Sequence, residues 1–81
     1  MNPYQLVDCS FHDELEALAT LQQRCKITYR TETDEIVEID SQIVDIYAAH
    51  QADFLKLKEG TEIRLDRLIQ VNDKPIRFIG D

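Results

Sequence analysis

Apolar positions along the chain change period near residue 24, and that change divides a helical part from an extended part. Between Phe11 and Cys25, Phe11, Leu15, Leu18 and Leu21 or Gln22 recur at steps of three and four, the repeat that gathers apolar side chains on one face of a helix. The spacing predicts an amphipathic helix over about 11–23. Ser10 is the expected N-cap, with Asp13 three residues on as a weaker form of a capping box. Asp13, Glu14 and Glu16 place negative charge in the first turns, where the helix dipole favours it. Leu15 then faces the core, and His12, Asp13, Glu16, Thr20 and Gln23 face outward.

From Arg24 the period falls to two. Cys25, Ile27 and Tyr29 alternate with Lys26, Thr28 and Arg30, as a half-buried strand requires. Glu32 to Glu35 reads as a turn, Ile36 to Ile39 as a short strand, Ser41 to Tyr47 as a β-branched stretch and His50 to Asp53 as a loop. Phe54 to Lys58 and Thr61 to Leu65 make a hairpin about Glu59-Gly60, where glycine supplies positive φ. Leu68, Ile69 and Val71 slip the alternation by one residue after Asp66-Arg67, which predicts a bend or bulge. Asn72 to Pro75 is a turn before a short strand through Ile76 and Phe78.

One helix and about five short antiparallel strands cannot bury their apolar faces as a flat sheet, so the strands (about 24–79) should bend into a small open β-barrel. The expected class is α+β, mainly β, with the helix over one mouth or edge. No internal repeat, linker or low-complexity segment interrupts 1–81, which reads as a single domain.

Charge adds what periodicity does not. The net charge is −7, and residues 1–55 hold eleven of the acids against three bases, Arg24, Lys26 and Arg30. Between Arg30 and Lys56 there is no base, while Glu32, Asp34, Glu35, Glu38, Asp40, Asp45 and Asp53 all fall there. Such a field repels phosphate backbones and favours encounter with a basic protein. No apolar run approaches a membrane span, and the two cysteines sit in a chain with no secretory pattern, so the expected setting is the cytoplasm.

Catalytic signatures are missing: there is no Gly-rich phosphate loop, no G-x-S-x-G and no H-E-x-x-H. The expectation is no enzyme, no cofactor and no small-molecule substrate. Cys9-x-x-His12, with Cys25 and His50 elsewhere, lacks the second close ligand pair of a structural zinc site. Cys9 and Cys25 read as buried small hydrophobes, Cys9 beneath the helix start, and His12 and His50 as exposed. Of Tyr4, Phe11, Tyr29, Tyr47, Phe54 and Phe78, most read as core residues, because only Tyr29 and Phe54 have basic neighbours.

Tyr4-Gln5, Cys9, His12-Asp13-x-Leu15-Glu16 and, much later, Ile63-Arg64-Leu65-Asp66-Arg67-Leu68 resemble the two signature stretches of Rho-binding antiterminators of the Rof type. The resemblance covers nearly the whole chain. It implies a helix before an Sm-like open barrel, and a protein that binds the N-terminal OB-fold region of the transcription terminator Rho. There it would block loading of RNA on the primary sites and reduce termination. Residue by residue, it places the contact on Asp8 through Glu16, with Asp13 leading and Asp8, His12, Glu14 and Glu16 supporting. The chain departs from the family pattern at His12, where a tyrosine precedes the matching aspartate. It departs again over Asp45 to His50, which holds no Lys or Arg where the family has a basic loop.

Two other readings compete. An Sm-like RNA-binding module would gather Lys26, Arg30, Lys56, Lys58 and Arg64 into a basic patch. A small hydrolase or nuclease subunit would cluster carboxylates about a divalent ion.

Overall fold

The computed structural model describes residues 7–78, so Tyr4 and Gln5 lie outside the described residues. The element order is α1 (Cys9–Leu21), β1 (Arg24–Arg30), β2 (Ile36–Ala49), β3 (Ala52–Leu57), β4 (Glu62–Arg64), a 3-10 turn (Leu65–Arg67), β5 (Leu68–Val71) and β6 (Lys74–Pro75). The strands form one antiparallel sheet in the order β4-β3-β2-β1-β5-β6.

That order forces curvature. β4 and β5 are four intervals apart across the sheet, about 19 Å if it were flat. The chain from Arg64 to Leu68 reaches at most about 14 Å. The sheet therefore wraps until its two ends approach, giving the expected open barrel, and the 3-10 turn spans the gap.

β2 makes the bend. Its first half pairs with β1 from Ile36↔Arg30 to Gln42↔Arg24, and its second half pairs with β3 from Ile43↔Leu57 to Ala49↔Ala52. Between Ile43 and Asp45 the register slips, leaving Val44 as the extra residue of a bulge. The sequence reading broke this element in two at Asp40, and the structure corrects it to one 14-residue strand. Asp40 is compatible with a strand because it stands on the exposed row opposite Lys26, while Ser41 turns inward and donates to Glu59 at 2.5 Å.

The predicted loop His50 to Asp53 is also corrected. His50 and Gln51 alone make the turn, with φ of 52° and 64°, and β3 begins at Ala52. Two consecutive positive φ values give the twist that suits adjoining strands. The slip predicted near Asp66-Arg67 is present as the 3-10 turn and a register shift between β1 and β5 at Thr28/Tyr29. The predicted turn Asn72 to Pro75 is corrected to Asn72-Asp73, since Lys74–Pro75 already pairs with β5 as β6, and of the predicted strand through Ile76 and Phe78 only the bridge Val7↔Phe78 is present.

Leu15 from α1, Ile27, Ile43, Leu55 and Leu57 from the strands, and Leu65 from the turn are all fully buried in one cluster. Each contributes roughly 1.5–3 kcal/mol by leaving water. α1 packs chiefly against β2 and closes one side of this core. Among the described residues, no helix is long and apolar enough to cross a membrane.

Candidate acidic docking surface

The helix begins two residues earlier than its periodicity suggests. Asp8, not Ser10, is the N-cap: its Oδ1 accepts from the Ser10 backbone N–H at 3.3 Å, and its carbonyl accepts the first helical bond from His12 at 3.0 Å. A carboxylate at this position satisfies an otherwise unpaired donor and opposes the positive end of the dipole. The Asp8 N–H in turn donates to the Arg77 carbonyl at 2.7 Å, fixing the helix start to the end of the chain. The shift changes Cys9 too. Expected beneath the helix start, it is exposed in the first turn, whereas Cys25 is buried as expected. Burial, reinforced by the Asp40 charge, pushes the Cys25 thiol pKa up.

Each helical residue turns about 100°, so His12 and Glu14 point to opposite flanks with Asp13 between them. On one flank His12 Nδ1 lies 3.3 Å from Glu16 Oε1. On the other, Glu14 Oε1 accepts from Lys74 Nζ, 60 positions along the chain. Beneath that pair a cleft of about 220 Å³ runs between α1 and the turn after β5, lined by Phe11, Leu15, Leu18 and Val71. Because α1 starts at Cys9, the expected acids fall beyond its first turn, which holds none, and the five predicted contact residues spread from the N-cap to the eighth helical residue with different roles. Asp8 caps, Glu14 anchors to Lys74, and His12 and Glu16 face each other. Asp13 is exposed and makes no hydrogen bond or ion pair among the described residues.

His12, Asp13 and Glu16 bring one ligand atom each within 4.8 Å of one another. An imidazole and two carboxylates are donors that suit a divalent ion. Cys9 is not part of the group, which is therefore different from the Cys9-x-x-His12 pair that the sequence raises.

The acid-only tract distributes differently from the helix acids. Glu32, Asp34 and Glu35 occupy the exposed connection between β1 and β2. Glu38 stands 3.9 Å from Lys26, and Arg24 Nη2 donates to the Asp40 carbonyl at 3.3 Å. The strand acids are thus partly offset by β1, and Asp13 is not.

One arrangement escaped the sequence reading. Tyr47 and Phe54 are opposite residues of β2 and β3, half-buried rather than in the core, with ring centroids 5.6 Å apart and planes 14° from parallel. The Tyr47 hydroxyl donates to Glu62, which pushes its pKa up to about 12. Alternation along both strands was the available signal, but the bulge at Val44 reverses which β2 residues face out. Arg64 lies opposite Phe54 and forks onto Asp66 at 2.6 and 2.9 Å; Lys56 sits between Asp45 and Glu62 in register. Lys26 and Arg30 are on β1, with β2 intervening, so the five bases do not gather into one patch.

The segment Ile63 to Leu68 serves the fold. Ile63, Leu65 and Leu68 are buried, Arg64 and Asp66 brace the 3-10 turn, and Arg67 Nη1 donates to the Thr31 carbonyl at 2.8 Å. In comparisons with known proteins, no family model, no curated protein and no solved structure matches the chain.

Proposed function

We propose that this chain is an inhibitor of Rho-dependent transcription termination, which docks the acidic start of α1 on the basic N-terminal RNA-binding region of Rho and keeps RNA off it. The observation that carries the reading is Asp13: an exposed carboxylate with no hydrogen bond or ion pair among the described residues, in the acidic N-terminal half of α1. A carboxylate presented there can pair with Lys or Arg that otherwise holds phosphate, and no chemical step is needed. Glu14 and Glu16 extend the negative field, while Asp8 acts through the helix by capping it. The motifs that resemble Rho-binding antiterminators support the partner's identity, the first supplying the contact and the second the turn that links β4 to β5 across the open barrel.

The test is competition between the purified protein and labelled C-rich RNA for Rho, with a control lacking Rho. Displacement of RNA without RNA binding in the control supports the inhibitor. Asp13→Lys is expected to weaken competition roughly tenfold or more with the fold intact, since reversal turns attraction into repulsion. Unchanged competition by the folded variant would remove Asp13 from the site.

An Sm-like RNA-binding reading has one observation in its favour, the stacked Tyr47–Phe54 pair beside Lys56 and Arg64. Its bases are paired or flanked by acids, which opposes phosphate binding. Salt-sensitive RNA binding in the control without Rho would favour it.

A further inference from the structure

Leu21, in the last turn of α1, is 64% exposed, as is Ile36, and both exceed Val44 among the exposed large apolar residues. A single exposed leucine is ordinary. The position of Leu21 is more specific, because Asp13, Ala17 and Leu21 follow one another at intervals of four and run as a line along the helix. Ala17 is small and exposed, and with Asp13, Leu18, Leu21 and Gln23 it borders an open hollow of about 530 Å³. The stripe is thus acidic at one end, concave in the middle and apolar at the other, over roughly 12 Å of helix.

We infer that Leu21 is the apolar anchor of the docking surface whose charged end is Asp13, an inference that rests on the reading under Proposed function. The occupant is a basic protein surface that sets a cation against Asp13 and lays an aliphatic or aromatic side chain into the hollow beside Ala17. Charge complementarity selects this occupant. A second copy would bring Asp13 and Glu14 toward their own kind in a chain of net charge −7, and an anionic lipid surface would be repelled in the same way. Acidic residues supply steering and orientation, whereas the removal of apolar surface from water slows dissociation. The two ends of the stripe therefore have separable effects.

The experiment uses the full chain in the Rho competition assay, with association and dissociation rates measured on immobilised Rho. Leu21→Ser and Ala17→Gln are compared with Asp13→Lys, and with Ile36→Ser as an equally exposed apolar control on the sheet. Because both positions are exposed, circular dichroism and the urea midpoint should stay near wild type. Ala17→Gln sets a longer side chain, of a good helix former, into the hollow and provides an independent test if Leu21→Ser perturbs folding. The expected result is about a tenfold loss of affinity for Leu21→Ser and Ala17→Gln, mainly through faster dissociation, with no change for Ile36→Ser. Wild-type competition by both helix variants while Asp13→Lys fails would overturn the anchor and leave the electrostatic docking standing. Failure of the wild-type chain itself to compete would overturn both.

Discussion

Tyr47 is the side chain whose chemistry the fold changes most clearly. Its hydroxyl donates to Glu62, and the pKa rises from 10.0 to about 12 because ionisation would remove that bond and set two negative charges together. A raised pKa on an acid favours the neutral form in the folded state. The contribution to stability is therefore complete below pH 10, and is lost as pH rises from there through about 12. Absorbance of the phenolate should include a step near pH 12 that Tyr47→Phe removes. Glu62→Gln should return the Tyr47 pKa toward 10.0 and remove the loss of stability between 10 and 12; unaltered titration in that variant would refute the assignment. The sequence makes Leu15 and Asp13 legible because helical spacing alone separates an inward position from an outward one. It does not reveal that Glu14 is held by Lys74, since only the folded chain brings together groups 60 positions apart. Cys9 was misplaced for a local reason: moving the cap from Ser10 to Asp8 turns Cys9 from the approach to the helix into its first, exposed turn.

At the level of elements, boundaries with a strong chemical signal are the ones that sequence locates. β1 has the predicted bounds and alternates from Arg24 to Ile27, but Thr28, expected outside, is buried and Tyr29 only half-buried where the register with β5 shifts; Gly60, with φ of 102°, makes the turn before β4. Boundaries without glycine are less visible. His50 and Gln51 form a tight turn that neither residue type advertises, and the helix stops at a left-handed glutamine. Gln22 has φ 55° and ψ 37°; its N–H donates to the Ala19 carbonyl at 3.2 Å, and the next N–H, of Gln23, donates to Leu18 at 3.3 Å. This is the Schellman arrangement, in which glycine is the preferred left-handed residue. A side chain costs about 1–2 kcal/mol in that conformation, while glycine loses about 0.4–1 kcal/mol more entropy on folding. Gln22→Gly should therefore stabilise the protein by about 0.5–1 kcal/mol. Urea unfolding should show a midpoint higher by a few tenths of a molar at unchanged slope. A lower midpoint would mean that the Gln22 side chain contributes more than its backbone strain costs. The same variant should leave partner competition unchanged, because the helix turns that carry Asp13 and Leu21 end before it.

The whole molecule measures 30 × 27 × 25 Å and carries a net charge of −7. Its size makes ionic strength a graded probe: the screening length is about 30 Å at 0.01 M salt, enough to couple charges across the entire barrel, and about 3 Å at 1 M, where only direct contacts survive. The described ion pairs are few. Glu38–Lys26 and Asp34–Arg67 are long, at 3.9 and 3.8 Å, the buried end of Arg64–Asp66 is shielded from solvent ions, and the close but exposed Glu14–Lys74 pair, open to screening, is worth at most about 1 kcal/mol. The dominant salt-sensitive quantity in the isolated protein is thus repulsion among excess acids. Raising NaCl from about 0.01 to about 1 M should increase the urea midpoint by relieving that repulsion. Docking on a basic surface should respond in the opposite direction, because the acids that repel one another attract the partner, and competition for Rho should weaken steadily over the same series. Opposite signs separate two explanations of lost competition. Were docking lost because the barrel loosened, stability and competition would fall together. A rise in stability accompanied by a fall in competition ties the loss to the partner-facing charge, and competition that is indifferent to salt would refute an acidic docking surface.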